Sequence, residues 1–365
     1  MRRVAALVLS ATLMLLPGAA FGKPAPGRIA TLARGISLTG WFRFPASADP
    51  AALRAWLSDS AMADLRRSGF SFVRLAVQPE ALGDDPRRQA VLVEAIRRLQ
   101  HQGLAVVIDA HPSGWNLEQR EADRRAWLDF WRRLAPALRA LPPGLTFPEL
   151  LNEPVFTGQD AAWQALQHAA LGIVRATLPD DTVVLTGDDW GSVAGLLRLR
   201  PEADPNVIYS FHFYDPAELT SLAAYRADVR HADLAKLPFP VDDPAACRRV
   251  ADASPDPPTA GLMRFYCSLG WDGAKVAARI EAAAEWGRRN HAAVWLGEFG
   301  ASARLNPPAR LAWLRTVREA CAARGIGWAL WGYDDVMGFG VPRPPGPHPV
   351  LDRDVLRALG LGAPG

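Results

Sequence analysis

"FPELLNEP", residues 147–154, reads as a short apolar strand that stops at an amide and a carboxylate, Asn152 and Glu153, just before Pro154. Strands buried on both faces run as short apolar stretches without polar alternation. Ending one with two adjacent polar groups presents them where the strand meets its loop. A catalytic Glu153 would need a second acid at the end of another strand. Seven further stretches share this character: "ARGISL" (33–38), "FSFVRLAV" (70–77), "AVVIDA" (105–110), "TVVLTG" (182–187), "VIYSFHF" (207–213), "AVWLGEF" (293–299) and "GWALWG" (327–332). Amphipathic helical patterns lie between most of them, with Arg on the outer face in "DPRRQAVLVEAIRRLQHQG" (85–103) and "QREADRRAWLDFWRRLAPAL" (119–138). Eight such strands with helical connections predict a single (β/α)8 TIM barrel. An open doubly wound sheet is disfavoured because no Gly-rich phosphate loop comes after the first strand.

The 365 residues suffice for one such barrel, and the composition, 49% apolar and 22% charged, is that of an ordinary globular chain. The segment 1–22 opens with Arg2 and Arg3 and runs apolar from Val4 to Leu16 before small residues. That run is shorter than the roughly 20 residues of a membrane span, so it reads as a cleaved export signal. A short linker, 23–30, and a catalytic domain, 31–365, come next. The expected location is periplasmic or secreted. Removing Arg2 and Arg3, and no acid, lowers the net charge from +3 to +1. Such a chain offers no electrostatic basis for nucleic acid or anionic membrane as partner, and it is expected to be a monomer. Between "HFYDP" and "DGAKVAARIEAAAEWGRR" lies a Pro-, Asp- and Ala-rich connection, expected as a long irregular insertion after the sixth strand, on the rim of the site. Cys247 and Cys267 flank part of it, and export would permit them to pair. Cys321 sits in a helical pattern.

The active site of such a barrel lies at the C-terminal ends of its strands. There the sequence supplies Arg74, then Asp109 and His111, Asn152 and Glu153, Asp188 to Trp190, His212 and Tyr214, Glu298, and Trp331. Glu298, in "WLGEFG", is the second acid. Two carboxyls about 5–5.5 Å apart across a sugar cleft give retaining glycoside hydrolysis. An Arg beside one of them would keep it ionised, and that charge would raise the pKa of the other. Residue types alone do not say which acid takes which role. No Cys/His cluster has zinc-ligand spacing, and no metal or cofactor is expected.

The set resembles glycoside hydrolase family 5, the cellulase family, from "RGISLTGWF" to "WALWGYDD". The resemblance implies Glu153 as acid/base and Glu298 as nucleophile, with Arg74, His111, Asn152, His212, Tyr214 and Trp331 as supporting or substrate-binding residues. Asn152 would hydrogen-bond the sugar 2-hydroxyl, Arg74 and Tyr214 would hold Glu298, and Trp331 would offer a flat face to a sugar ring. Trp41, Trp115 and Trp190 would extend that platform. Asp334 and Asp335 read as solvated loop acids. The expected substrate is a β-linked polysaccharide or oligosaccharide, and the expected activity that of an endo-β-1,4-glucanase. The same chemistry on mannan, on β-1,3 or mixed-linkage glucan, or on an exopolysaccharide of the cell itself is the alternative. A non-catalytic glycan-binding barrel is another.

Overall fold

The computed structural model describes residues 24–334 and 350–363. The expected export signal lies outside them. Eight parallel strands, β1 (Arg34–Phe42), β2 (Phe72–Val77), β3 (Ala105–Ala110), β4 (Thr146–Glu149), β5 (Val183–Thr186), β6 (Val207–Phe213), β7 (Ala293–Phe299) and β8 (Trp328–Leu330), close in chain order, β8 against β1. The fold is a (β/α)8 barrel. Side chains alternate across each strand. Phe72, Val107, Phe147, Val184, Ile208 and Trp295 fill the lower interior. Their neighbours Val73, Val106, Ile108, Leu185, Tyr209 and Leu296 pack outward against the helical ring.

In β7 the interior parity is broken where it matters for the site. Phe211 pairs with Leu296 but His212 pairs with Glu298, so β7 carries one extra residue, Gly297. A bulge of this kind re-aims the side chain beyond it. Strict alternation from Ala293 and Trp295 would point Glu298 outward; the bulge turns it in. A Cβ at position 297 would lie 2.1 Å from Ser210 Oγ and 3.1 Å from the Trp295 ring, so only glycine fits.

Two stretches differ from their sequence reading. Residues 23–30, read as a linker, carry most of a helix, Pro26–Thr31, that caps the barrel floor. Its Arg28 Nη1 donates to Thr182 Oγ1 at 3.2 Å, and Ile29 packs on the interior cluster. The connection after β6, read as irregular, is largely helical: Ala217–Thr220, His231–Leu234, Pro244–Asp252 and Pro257–Leu269. Its Asp-Pro pairs are helix starts rather than loop chemistry. Asp243 accepts hydrogen bonds from the Ala245 and Ala246 amides, and Asp256 from that of Thr259, each with proline next in the first turn. Cys247 and Cys267 are disulfide-bonded between the last two helices, with Cα atoms 5.6 Å apart. Cys321 is free and buried, which pushes its thiol up to about 12. Among the described residues no helix is long and apolar enough to cross a membrane.

Candidate active site

Arg74 organises the upper barrel. It sits fully buried on β2, facing the interior two residues above Phe72. Its Nε donates to Glu149 Oε2 at 2.7 Å and its Nη2 to Glu149 Oε1 at 3.0 Å, a two-pronged contact with β4. Nη1 donates to Glu298 Oε2 at 2.8 Å, and Nη2 also reaches Asn152 Oδ1 at 2.8 Å. Asp109 Oδ2 lies 3.1 Å from Nη2. Burial works against a guanidinium charge, but Asp109, Glu149 and Glu298 outweigh it and hold Arg74 ionised. Glu149 is a site residue that the sequence reading misses. A signal for it exists, since a carboxylate inside an apolar strand requires a partner.

Asn152 is fixed from both ends. Besides accepting from Arg74, its Nδ2 donates to His111 Nε2 at 2.9 Å. His111 Nδ1 in turn donates to Asp109 Oδ2 at 2.7 Å. This tautomer requires a neutral ring, and burial, with Arg43 and Arg74 nearby, pushes the His111 pKa well down. One Asn152 amide hydrogen remains free for a ligand.

Glu298, at the end of β7, is gripped on both oxygens: Arg74 at Oε2 and the Tyr214 hydroxyl, which donates to Oε1 at 2.7 Å. Glu153 lies just past β4 in a left-handed conformation, φ 42°, that non-glycine residues rarely adopt. Its Oε1 lies 3.0 Å from His212 Nδ1, which is 3.9 Å from Glu298 Oε1. One oxygen of Glu153 and one of Glu298 lie within 4.8 Å of each other. The two acids are biased in opposite directions. Burial raises Glu153, the nearby Glu298 charge adds to this, and the His212 contact opposes it without reversing it. Burial would raise Glu298 too, but His212, Arg74 and the Tyr214 hydroxyl outweigh it and lower its pKa. His212, disfavoured as a cation by burial, is raised by Glu298 and Glu153. One acid is therefore biased toward its protonated form and the other toward its ionised form.

Glu153, His212 and Glu298 are also the one grouping among the described residues with donor atoms placed to hold a metal ion. Their arrangement serves equally as a charge-matched acid pair around an imidazole.

The aromatic candidates divide. Trp190 is 58% exposed, on a backbone with two successive left-handed residues, Asp189 and Trp190. It lines a cleft of about 390 Å³ with Trp115, His111, Asn152 and Glu153. Trp41 is not available to a ligand: it is fully buried, stacked on Trp56 at 5.2 Å, with Nε1 donating to the Leu53 carbonyl. Trp331 is also buried, 2% exposed, because the Arg43 guanidinium lies 5.3 Å over its ring and the His111 ring packs 5.6 Å away. Arg43, just past β1, lines the cleft and is a second residue that the sequence reading misses. Asp334, read as a solvated acid, instead accepts from the Thr39 and Gly40 amides at 3.0 and 2.6 Å, tying the end of β8 to β1. Asp335 lies outside the described residues.

Known proteins resemble this chain in sequence and in fold. The model of the cellulase family, glycosyl hydrolase family 5, matches residues 35–335. Endoglucanase 3 of Fibrobacter succinogenes is 26% identical over 331 residues, covering 83% of this chain and 49% of that protein. Endoglucanase H of Acetivibrio thermocellus is 23% identical over 230 residues, 63% of this chain and 21% of that one. The chain thus spans about half the length of the first relative and about a fifth of the second. Among solved structures, Thermotoga maritima Cel5A in complex with cellobiose superposes with a TM-score of 0.73 at 23% identity, covering 92% of this chain and all of that one. A Clostridioides difficile cellulose synthase subunit Z gives 0.71 at 21% identity, over 90% and 99% of the two chains.

Proposed function

Given that the chain belongs to glycosyl hydrolase family 5, the cellulase family, we propose that it is a retaining β-glycoside hydrolase of endo-β-1,4-glucanase type. The observation that carries this is the pair of oppositely biased carboxyls, Glu153 and Glu298, with oxygens within 4.8 Å of each other. That closeness suits a direct attack on the sugar; inverting enzymes separate their acids by about 6.5–9.5 Å to admit a water.

In the first step Glu298 bonds to the anomeric carbon while the glycosidic C–O bond breaks, and the Glu153 proton passes to the departing oxygen. Arg74 and Tyr214 orient the nucleophile. The free Asn152 amide hydrogen donates to the neighbouring sugar hydroxyl and fixes its orientation beside the anomeric carbon. In the second step Glu153, now ionised, takes a proton from water, whose oxygen replaces Glu298 at the anomeric carbon. With the glycosyl ester formed, the Glu298 charge that raised Glu153 is gone, which favours Glu153 as a base.

Export to the periplasm or medium belongs to this reading; the disulfide in the β6–β7 connection is the kind of bond an oxidising compartment sustains. Sugar release on soluble β-glucans and mannans, with Glu298→Gln beside the wild type, is the test. Turnover of carboxymethylcellulose or mixed-linkage glucan that the substitution abolishes is expected. A mannan-only profile would keep the chemistry and change the substrate. Unchanged turnover in Glu298→Gln would overturn the mechanism.

A further inference from the structure

Several arginines around the mouth of the barrel are occupied. Arg74 is surrounded by carboxylates. Arg120 pairs with Asp123, Arg124 donates to the Leu117 carbonyl, and Arg198 is bound to Asp160 and Asp188. Arg43 differs from these. It lines the cleft next to Glu153, yet among the described residues no carboxylate lies within ion-pairing distance of it. Its Nε is shielded from solvent without an acceptor.

Arg43 is held in place through its faces and not its hydrogens. The guanidinium carbon lies 4.4 Å from the centroid of the Phe44 ring and 5.3 Å from that of Trp331. Contacts of this kind fix the plane of the group while leaving its edge donors free. Burial works against the charge, and the carboxylates of Glu298 and Asp109 offset this only in part, so the Arg43 pKa is lowered. A shielded guanidinium with unused donors gains most from a ligand that brings two anionic oxygens in one plane.

We infer that Arg43 is a specificity residue that takes the carboxylate of a uronate unit in the cleft beside Glu153. The inference rests on the glycosidase reading and refines its substrate class. A neutral sugar hydroxyl would accept one hydrogen bond from Arg43; a carboxylate accepts two in parallel and neutralises the charge. It also accounts for the covering of Trp331. At that end of the cleft the incoming sugar meets a guanidinium edge, not an open indole face.

The test compares binding of cellotetraose and of C6-oxidised cellotetraose, whose units are glucuronates, to the Glu298→Gln protein, which binds without cutting. The oxidised chain is expected to bind about tenfold more tightly or better, with a preference that shrinks as salt rises. In Glu298→Gln/Arg43→Gln the ratio of the two affinities should fall to about one, and Arg43→Lys should retain part of it, keeping charge but losing the planar fork. Equal affinities before Arg43 is changed would overturn the inference. So would a general loss in the Arg43 variant that leaves the ratio intact. In either case, hydrolysis of neutral glucan by the wild type would leave the glycosidase reading standing. If neither chain is bound and neither is cut, both readings fall.

Discussion

At the scale of single residues, the site is a device for keeping two carboxyls in different protonation states, and its parts can be separated by pH. In the proposed mechanism activity requires Glu298 ionised and Glu153 protonated, so the acidic limb of the rate profile would report Glu298 and the basic limb Glu153. The Tyr214 hydroxyl donates to Glu298. Tyr214→Phe should therefore raise the Glu298 pKa, move the acidic limb to higher pH, leave the basic limb in place, and lower kcat roughly 10- to 100-fold for the lost charged hydrogen bond. His212 acts on both acids, lowering each. His212→Asn should shift both limbs toward alkaline pH. A profile of kcat/KM against pH for the two variants checks this; an acid shift in either would contradict the assigned contacts. Arg43 and Glu149 show how residue-scale reading falls short. Glu149 announces itself by its charge inside a strand, whereas Arg43 lies in a turn just past β1, between Phe42 and Phe44, and only its stacking on Phe44 and Trp331 marks it.

At the scale of elements, one glycine sets the direction of Glu298. Gly297→Ala would drive a Cβ into Ser210 Oγ and the Trp295 ring. The expected cost is about 1–3 kcal/mol of stability, read by denaturant unfolding, together with loss of activity as Glu298 turns. Full activity with unchanged stability would mean that the bulge does not aim Glu298. The bulge is not legible in "AVWLGEF", because a one-residue shift of parity leaves the apolar pattern intact. The helices after β6 escape a sequence reading for another reason. Asp-Pro pairs occur in turns and at helix starts alike, and the two uses differ only in whether an apolar helical period continues beyond the proline. The disulfide staples two of those helices across a sequence separation of 20. Replacing Cys247 and Cys267 with Ala should cost about 3 kcal/mol, seen as a lower unfolding midpoint with kcat little changed on neutral glucan.

At the scale of the whole molecule, the barrel is readable because buried parallel strands have a simple signature, and all eight stretches are strands. The site is readable because strand ends converge on one rim, which brings Arg74, His111, Asn152, Glu153, His212, Tyr214 and Glu298 together from distant places in the chain. The aromatic platform is not readable. Whether a tryptophan beyond a strand faces the cleft or the helices depends on local register, and Trp41 packs on Trp56 while Trp190 is exposed. The central claim is that Glu298 bonds to the sugar on one face and water then displaces it from the opposite face, the one the leaving group vacated. Proton NMR of the reducing end first released from a β-glucan tests it most directly. The β anomer should appear first and then mutarotate; first appearance of the α anomer would contradict the double displacement and the roles given to both acids.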